Sequence, residues 1–216
     1  MAVELTKKIQ FLRGKWIVAV QTIETSGSLA SDYFQDILDR YAAKGRYYHT
    51  IDHIYQCFDL MEVFDSQLVN RTAMYLALFY HDIIYNPLSK DNEEKSADYA
   101  VACLQKLGFE ESLIDLVKQL ILVTKGHRAP EGSSFDFRCL IDVDLFIFGN
   151  SRESYQSYCE AIRKEYWLVP SFLYRKGRKK ILLSLQERKP FYYTAEMQKQ
   201  CEAKAQENLA YEINLL

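Results

Sequence analysis

The residues of this chain able to do chemistry are imidazoles and carboxylates set where charge is costly. His81 and Asp82 lie inside the run Tyr75 to Tyr85 (YLALFYHDIIY), whose other members demand burial on most faces. An ionised carboxylate in such surroundings costs several kcal/mol unless it is paired, hydrogen-bonded or bound to a metal. The run Cys139 to Phe148 (CLIDVDLFIF) repeats the anomaly with Asp142 and Asp144 and holds no cation. All four histidines fall between positions 49 and 127. Either run alone reads equally well as helix caps and a solvent-facing acid; together they make metal ligation the better account.

His49 and His53 are spaced i, i+4, so both can face one way from a helix, as in the HExxH zinc motif. The general-base glutamate of that motif would fall at Thr50, which argues against a zinc protease. Imidazoles combined with carboxylates make a mixed nitrogen and oxygen donor set. Such a set suits octahedral Mn, Fe, Co, Ni or Mg, with Zn also admissible, better than a closed structural zinc site. Four protein ligands leave positions open for water and substrate.

What must position these groups is helix. Gly and Pro are scarce, at 8 and 4, and strand-like alternation between turn signals is hard to find. Ile51, Ile54, Tyr55, Phe58, Met61 and Phe64 recur at helical spacing with Asp52, Gln56, Asp59 and Glu62 between them. Arg71 to Tyr85 is apolar on nearly every face and reads as a central buried helix, ended by Asn86-Pro87. An acidic start at Asp91 to Glu94 feeds a helix that Gly108 closes. Further helices are expected over 113–124, 135–148, 152–167, 170–186 and 194–215. No repeat, low-complexity segment or linker divides the chain, so one domain over 1–216 is expected.

The order His, then His-Asp, then Asp on successive helices resembles the HD superfamily of metal-dependent phosphohydrolases. More narrowly, the segments Arg46 to Thr50 (RYYHT), Phe79 to Tyr85 (FYHDIIY), Asp91 to Ala97 (DNEEKSA), Ile141 to Leu145 (IDVDL) and Ile162 to Tyr166 (IRKEY) are similar to a bacterial subgroup of predicted HD phosphohydrolases. The resemblance runs from about Leu29 to the C-terminal helix. It implies an all-α, HD-domain-like bundle of eight to ten helices, with His49, His81, Asp82 and Asp144 as ligands to a divalent metal. Asp144 is preferred to Asp142 because the Asp-Leu step matches the family's acid before an apolar-rich turn; Asp142 is the fallback. Some related proteins hold two metals with extra histidines, for which His53 and His127 are the candidates here.

The same resemblance implies a metal-bound water that attacks a phosphoryl group, with Asp82, Glu93 or Glu94 orienting or deprotonating it. Acids in a first turn also stabilise any helix, so the Glu pair keeps that reading too. Substrate phosphate needs cations at the pocket mouth. Arg46, close to His49, and Lys125 and Arg128, flanking His127, are the candidates. The late run Arg175 to Lys180 (RKGRKK) is favoured as a solvated helix face.

The 27 Lys plus Arg against 29 Asp plus Glu give a net charge of -2, so no global pull toward nucleic acid or an anionic membrane is implied, and phosphate attraction must be local. No segment approaches the roughly 18 apolar residues of a spanning helix, and Trp16 to Val20 is too short for a signal-peptide core; a cytoplasmic protein is expected. Cys57, Cys103, Cys139, Cys159 and Cys201 are scattered, odd in number and never paired as CxxC, which reads as reduced thiols. The expected partner is a small phosphorylated molecule, a nucleotide foremost, without long nucleic acid or membrane. Two other functions stay open: a non-catalytic metal-binding regulator, and a di-iron HD oxygenase needing further histidine ligands.

Overall fold

Eight consecutive residues, Ala73 to Tyr80, are buried in one helix, and the N-terminal part of the molecule is built around them. The computed structural model describes residues 2–23 and 27–216. Among the described residues the chain is all-helical, with ten α-helices and no strand. They are α1 (Ala2–Val20), α2 (Gly27–Tyr41), α3 (Ile51–Met61), α4 (Arg71–Tyr80), α5 (Asn92–Leu107), α6 (Glu111–Val123), α7 (Phe135–Asp144), α8 (Arg152–Glu165), α9 (Ser171–Gln186) and α10 (Ala195–Leu215). Short 3-10 turns follow α3 and α7 at Glu62–Gln67 and Phe146–Gly149. None of these helices is long and apolar enough to cross a membrane. The chain packs as two compact units, Met1–Ile141 and Asp142–Leu216, with the division inside α7.

In the first unit α4 packs against α1, α3, α5 and α6. Buried side chains such as Leu76, Leu78 and Phe79 contribute roughly 1.5–3 kcal/mol each through burial. Trp16 of α1 sets its ring edge-on to Phe79, with centroids 5.5 Å apart, and its indole N–H donates to the Ala30 carbonyl at 2.8 Å. Phe58 of α3 approaches Phe79 from another side at 4.7 Å. Asn70 caps α4 by accepting the Ala73 N–H at 2.9 Å. The buried Asp136 carboxylate of α7 accepts the N–H groups of Val69 and Asn70, both at 2.8 Å, which ties the start of α7 to the start of α4. Gly108 closes α5 at φ 87°, a left-handed conformation that glycine adopts without strain.

Two helices are shorter than their apolar runs. α4 stops at Tyr80, not Tyr85, with the His81 N–H making its last bond to Ala77. Beyond it the backbone is claimed by other elements: the Asp82 N–H donates to the Tyr41 hydroxyl and the Ile84 N–H to Ser96 Oγ. α7 likewise ends at Asp144, before the 3-10 turn.

The second unit is held by polar pins. The Asp142 carboxylate accepts the Tyr193 and Thr194 N–H groups at 2.7 to 2.9 Å, and Asn208 donates to the Phe148 and Asn150 carbonyls. A side chain at Gly149 would meet Cys201 Cβ at 2.5 Å and the Tyr192 hydroxyl at 2.8 Å, so only glycine admits α10 this close. Arg178 of α9 forms a two-pronged buried pair with Glu212 of α10, at 2.8 and 3.0 Å, with Tyr155 and Tyr158 completing its hydrogen bonds. Burial pushes the Glu212 carboxyl up, but the Arg178 guanidinium outweighs it and holds the group below the ordinary glutamate range. That contribution to stability is present above the ordinary value of 4.5 and is lost as pH falls through the lowered one.

Truncating Arg178 strands a buried carboxylate. Arg178→Ala is expected to cost about 3–5 kcal/mol, while Arg178→Met combined with Glu212→Leu recovers most of the loss. Circular-dichroism melts near neutral pH check this, and equal melting of the single and double variants would refute it.

Candidate metal centre

The early end of α4 is what delivers a site. His81 caps the helix and Asp82 sits one residue beyond it, so both side chains leave the packed cylinder of α4. His81 is 1% exposed, and its Nδ1 lies 2.9 Å from the Leu78 carbonyl oxygen, three residues back. A carbonyl can only accept, so Nδ1 is the donor in this contact and Nε2 is the nitrogen turned to the neighbouring acid. Nε2 lies 3.2 Å from Asp82 Oδ2 and 3.4 Å from His53 Nε2.

His53 arrives from the buried stripe of α3. Ile54, Cys57, Phe58 and Met61 fill that stripe, and His53 stands one turn before Cys57 on the same face. Its Nε2 is 3.9 Å from Asp82 Oδ2. His49 lies just before α3, with Nε2 also 3.9 Å from Asp82 Oδ2 and its ring 4.3 Å from that of Tyr85. One carboxylate oxygen is thus approached by three imidazoles.

The remaining acid is Asp144, the last residue of α7. His53, His81, Asp82 and Asp144 each offer a ligand atom, and the four atoms lie within 4.8 Å of one another. Ligands about 2.0–2.2 Å from an ion stand roughly 3 Å apart when adjacent and about 4.3 Å when opposite. The separations that are set by His81, Asp82 and His53, 3.2, 3.4 and 3.9 Å, fall within that range. The group could hold a metal ion.

The predicted ligands are therefore placed as follows in space. His81, Asp82 and Asp144 meet in the group, and His53, which the sequence offered only for a second ion, meets them there. His49 stands beside Asp82 outside the four. His127 does not enter the group; it occupies a left-handed turn at φ 48° just past the end of α6. Asp142 is 0% exposed and committed to the N–H groups of Tyr193 and Thr194. Burial raises its carboxyl to about 6, against those N–H donors. The signal for His53 was available in the sequence: it shares the i, i+4 stripe of Cys57 and Met61, where a histidine on a buried face needs a partner.

Of the acids expected to handle water, Glu93 and Glu94 take different environments. The start of α5 is docked to the chain after Asp82, where Asn92 Oδ1 accepts the Asn86 N–H and Ser96 Oγ the Ile84 N–H. Burial raises the Glu93 carboxyl above its ordinary range, and the nearby Asp82 and Glu94 charges add to it. Lys125 hydrogen-bonds Glu94 and holds it below its ordinary range. Lys125 is thereby engaged at the rim, and Arg128 is exposed.

Arg46 has a use the sequence did not suggest. Its guanidinium donates to the carbonyls of His49 at 3.1 Å, Asp82 at 2.8 Å and Ile83 at 3.0 Å, and it lies over the rings of Tyr41 and Tyr85. Three backbone carbonyls left over from the end of α4 and the approach to α3 find their donors in one side chain. It clamps the two segments that carry His49 and Asp82.

Because Arg46 positions ligand-bearing backbone, Arg46→Met is expected to weaken Mn(II) binding about 10–100-fold. Equilibrium dialysis measures this, and unchanged affinity in a folded variant would show that the clamp does not support the site.

No protein-family model matches this chain, and no curated protein or solved structure matches it.

Proposed function

We propose that this chain is a metal-dependent phosphohydrolase acting on a small phosphorylated molecule, a nucleotide foremost, with His53, His81, Asp82 and Asp144 holding a divalent ion. The observation that carries the reading is the convergence of these four side chains, whose ligand atoms lie within 4.8 Å of one another. His81 Nε2 lies 3.2 Å from Asp82 Oδ2 and 3.4 Å from His53 Nε2, so nitrogen and oxygen donors of the kind that hold a divalent ion are already side by side. The resemblance in residue pattern to HD phosphohydrolases supplies the reaction class. A bound divalent ion would supply Lewis acidity at a phosphoryl oxygen and a water of lowered pKa.

In this reading the chain's own residues divide the work. Asp82 Oδ2 lies near the three imidazoles and fixes their common centre. Glu93, desolvated and held above the ordinary glutamate range, is suited to take the proton of the attacking water and return it to the leaving oxygen. Glu94 and Lys125 neutralise each other beside it, and Lys125 and Arg128 are the cations assigned to substrate phosphate. Arg46 holds the two ligand-bearing segments together and is reassigned from phosphate binding to positioning.

His53 also gives a specific reason to weigh the oxygenase alternative, since that chemistry calls for histidines beyond His49 and His81. The experiment separates the readings. Elemental analysis of purified protein should find stoichiometric metal that His81→Ala abolishes. Phosphate release across nucleotides and sugar phosphates should vanish with the metal, whereas Glu93→Gln should keep the metal and lower kcat about 10²–10⁴-fold. Metal with oxygen uptake and no phosphate release would replace the hydrolase by the oxygenase. Metal with neither would leave the regulator, and no metal after reconstitution would sink the site.

A further inference from the structure

The basic run Arg175 to Lys180 lies on α9, and the helix divides it by face. Tyr174, Arg178, Leu182 and Leu185 recur every three or four residues on the inner side, with Leu182 fully buried and Arg178 paired to Glu212. The opposite side carries Phe172, Lys176, Lys179 and Leu183 at i, i+4, i+7 and i+11, with Leu173 and Lys180 beside them. Trp167 and Leu168, in the turn before α9, extend this surface. Trp167 is 68% exposed, Phe172 70% and Leu168 60%.

This is a concentration rather than a scatter. Among the described residues, five of the fourteen large exposed hydrophobic side chains, namely Trp167, Leu168, Phe172, Leu173 and Leu183, belong to this surface, while Ile181 is exposed on another side of α9. No acid occurs between Tyr166 and Gln186, although the whole chain carries a net charge of -2. Lys176, Lys179 and Lys180 line a shallow groove with Leu183, Ser184 and a single acid, Glu187, so three cations face one carboxylate. The surface is therefore both apolar and cationic on one side of one helix.

The geometry points to Trp167 to Leu183 as a docking surface for an anionic phospholipid bilayer. The interleaving of the charges decides the kind of occupant. Centres of protein interfaces are depleted in lysine, because the ammonium must be desolvated there. At a bilayer surface the same lysines lie along the headgroups, their stems on the apolar zone and their ammonium groups on phosphate and carboxylate. Trp and Phe at the leading end are residues that settle at that boundary, apolar body inward. The helix would lie in the interface plane with its outer face immersed a few ångströms. The charge complementarity is local, as it must be in a chain with no net positive charge.

Flotation of the full chain with phosphatidylcholine vesicles, with and without phosphatidylserine, tests this at low ionic strength. The chain should float with the anionic vesicles alone and be released by salt. Replacing Lys176, Lys179 and Lys180 by Gln should cut partitioning roughly fivefold per charge, on the order of a hundredfold in all. Trp167→Ser with Phe172→Ser should abolish flotation while leaving the melting temperature unchanged, since both side chains are exposed. Brominated lipid should quench Trp167 and spare Trp16, which is 2% exposed. Failure to float with anionic vesicles, or flotation indifferent to these substitutions, overturns the proposal. A dimer in solution that Phe172→Ser dissociates also overturns it and assigns the face to a second copy.

Discussion

The first unit turns on one constraint: Asp82 Oδ2 and the Nε2 atoms of His53 and His81 occupy one small, mostly desolvated volume. The convergence is built at the end of α4, where His81 keeps helical conformation and its bond to Ala77 and Asp82 is the next residue. α4 ends there, with Tyr80 its last residue and His81 its cap. Ending a helix inside a protein exposes carbonyls and N–H groups that require partners, at a cost of about 1–3 kcal/mol for each buried group left without one. Tyr41, Arg46 and Ser96 meet that requirement from three other segments.

This explains why a cation next to the candidate ligands is spent on backbone carbonyls. Arginine carries five N–H donors in a fixed fork, and carbonyl oxygens freed by a helix end are as well matched to that fork as phosphate is. Sequence proximity to His49 is compatible with either use. What distinguishes them is the path of the chain after Asp82, which composition and periodicity do not carry. The two glutamates that open α5 part company in the same way. Adjacent residues of one helix point in different directions, so Glu93 is desolvated near Asp82 while Glu94 pairs with Lys125.

Much of the fold was legible because helices announce themselves by period. α3, α5, α6, α8, α9 and α10 stand within a few residues of their apolar patterns, and Gly108 stops α5 where a left-handed residue is needed. The ends of α4 and α7 were not legible, since both apolar runs continue past the helix. There the hydrophobic pattern reports burial, and burial persists in the turns that follow: Ile83, Leu145 and Phe148 are all buried outside α-helix. In the site, the anomaly of acids within apolar runs pointed to Asp82, Asp142 and Asp144 together. Only tertiary hydrogen bonds separate Asp142, spent on the Tyr193 and Thr194 N–H groups, from Asp144, which joins the histidines.

The converse failure is Arg178. A charge in an apolar run draws notice because its burial is costly, whereas a charge among other charges looks solvated even when it is not. Five cations in six residues hide one that is inward, bidentate to Glu212 and bonded to Tyr158. The helical period resolves the ambiguity in retrospect, because Tyr174, Leu182 and Leu185 define an inner stripe on which position 178 must fall. Reading charge runs against the apolar stripe of their own helix, rather than as a block, divides this one into a structural arginine and an outward surface of lysines. The two sets then obey different physics: the first is desolvated and insensitive to salt, and the second is screened within about 10 Å at moderate ionic strength.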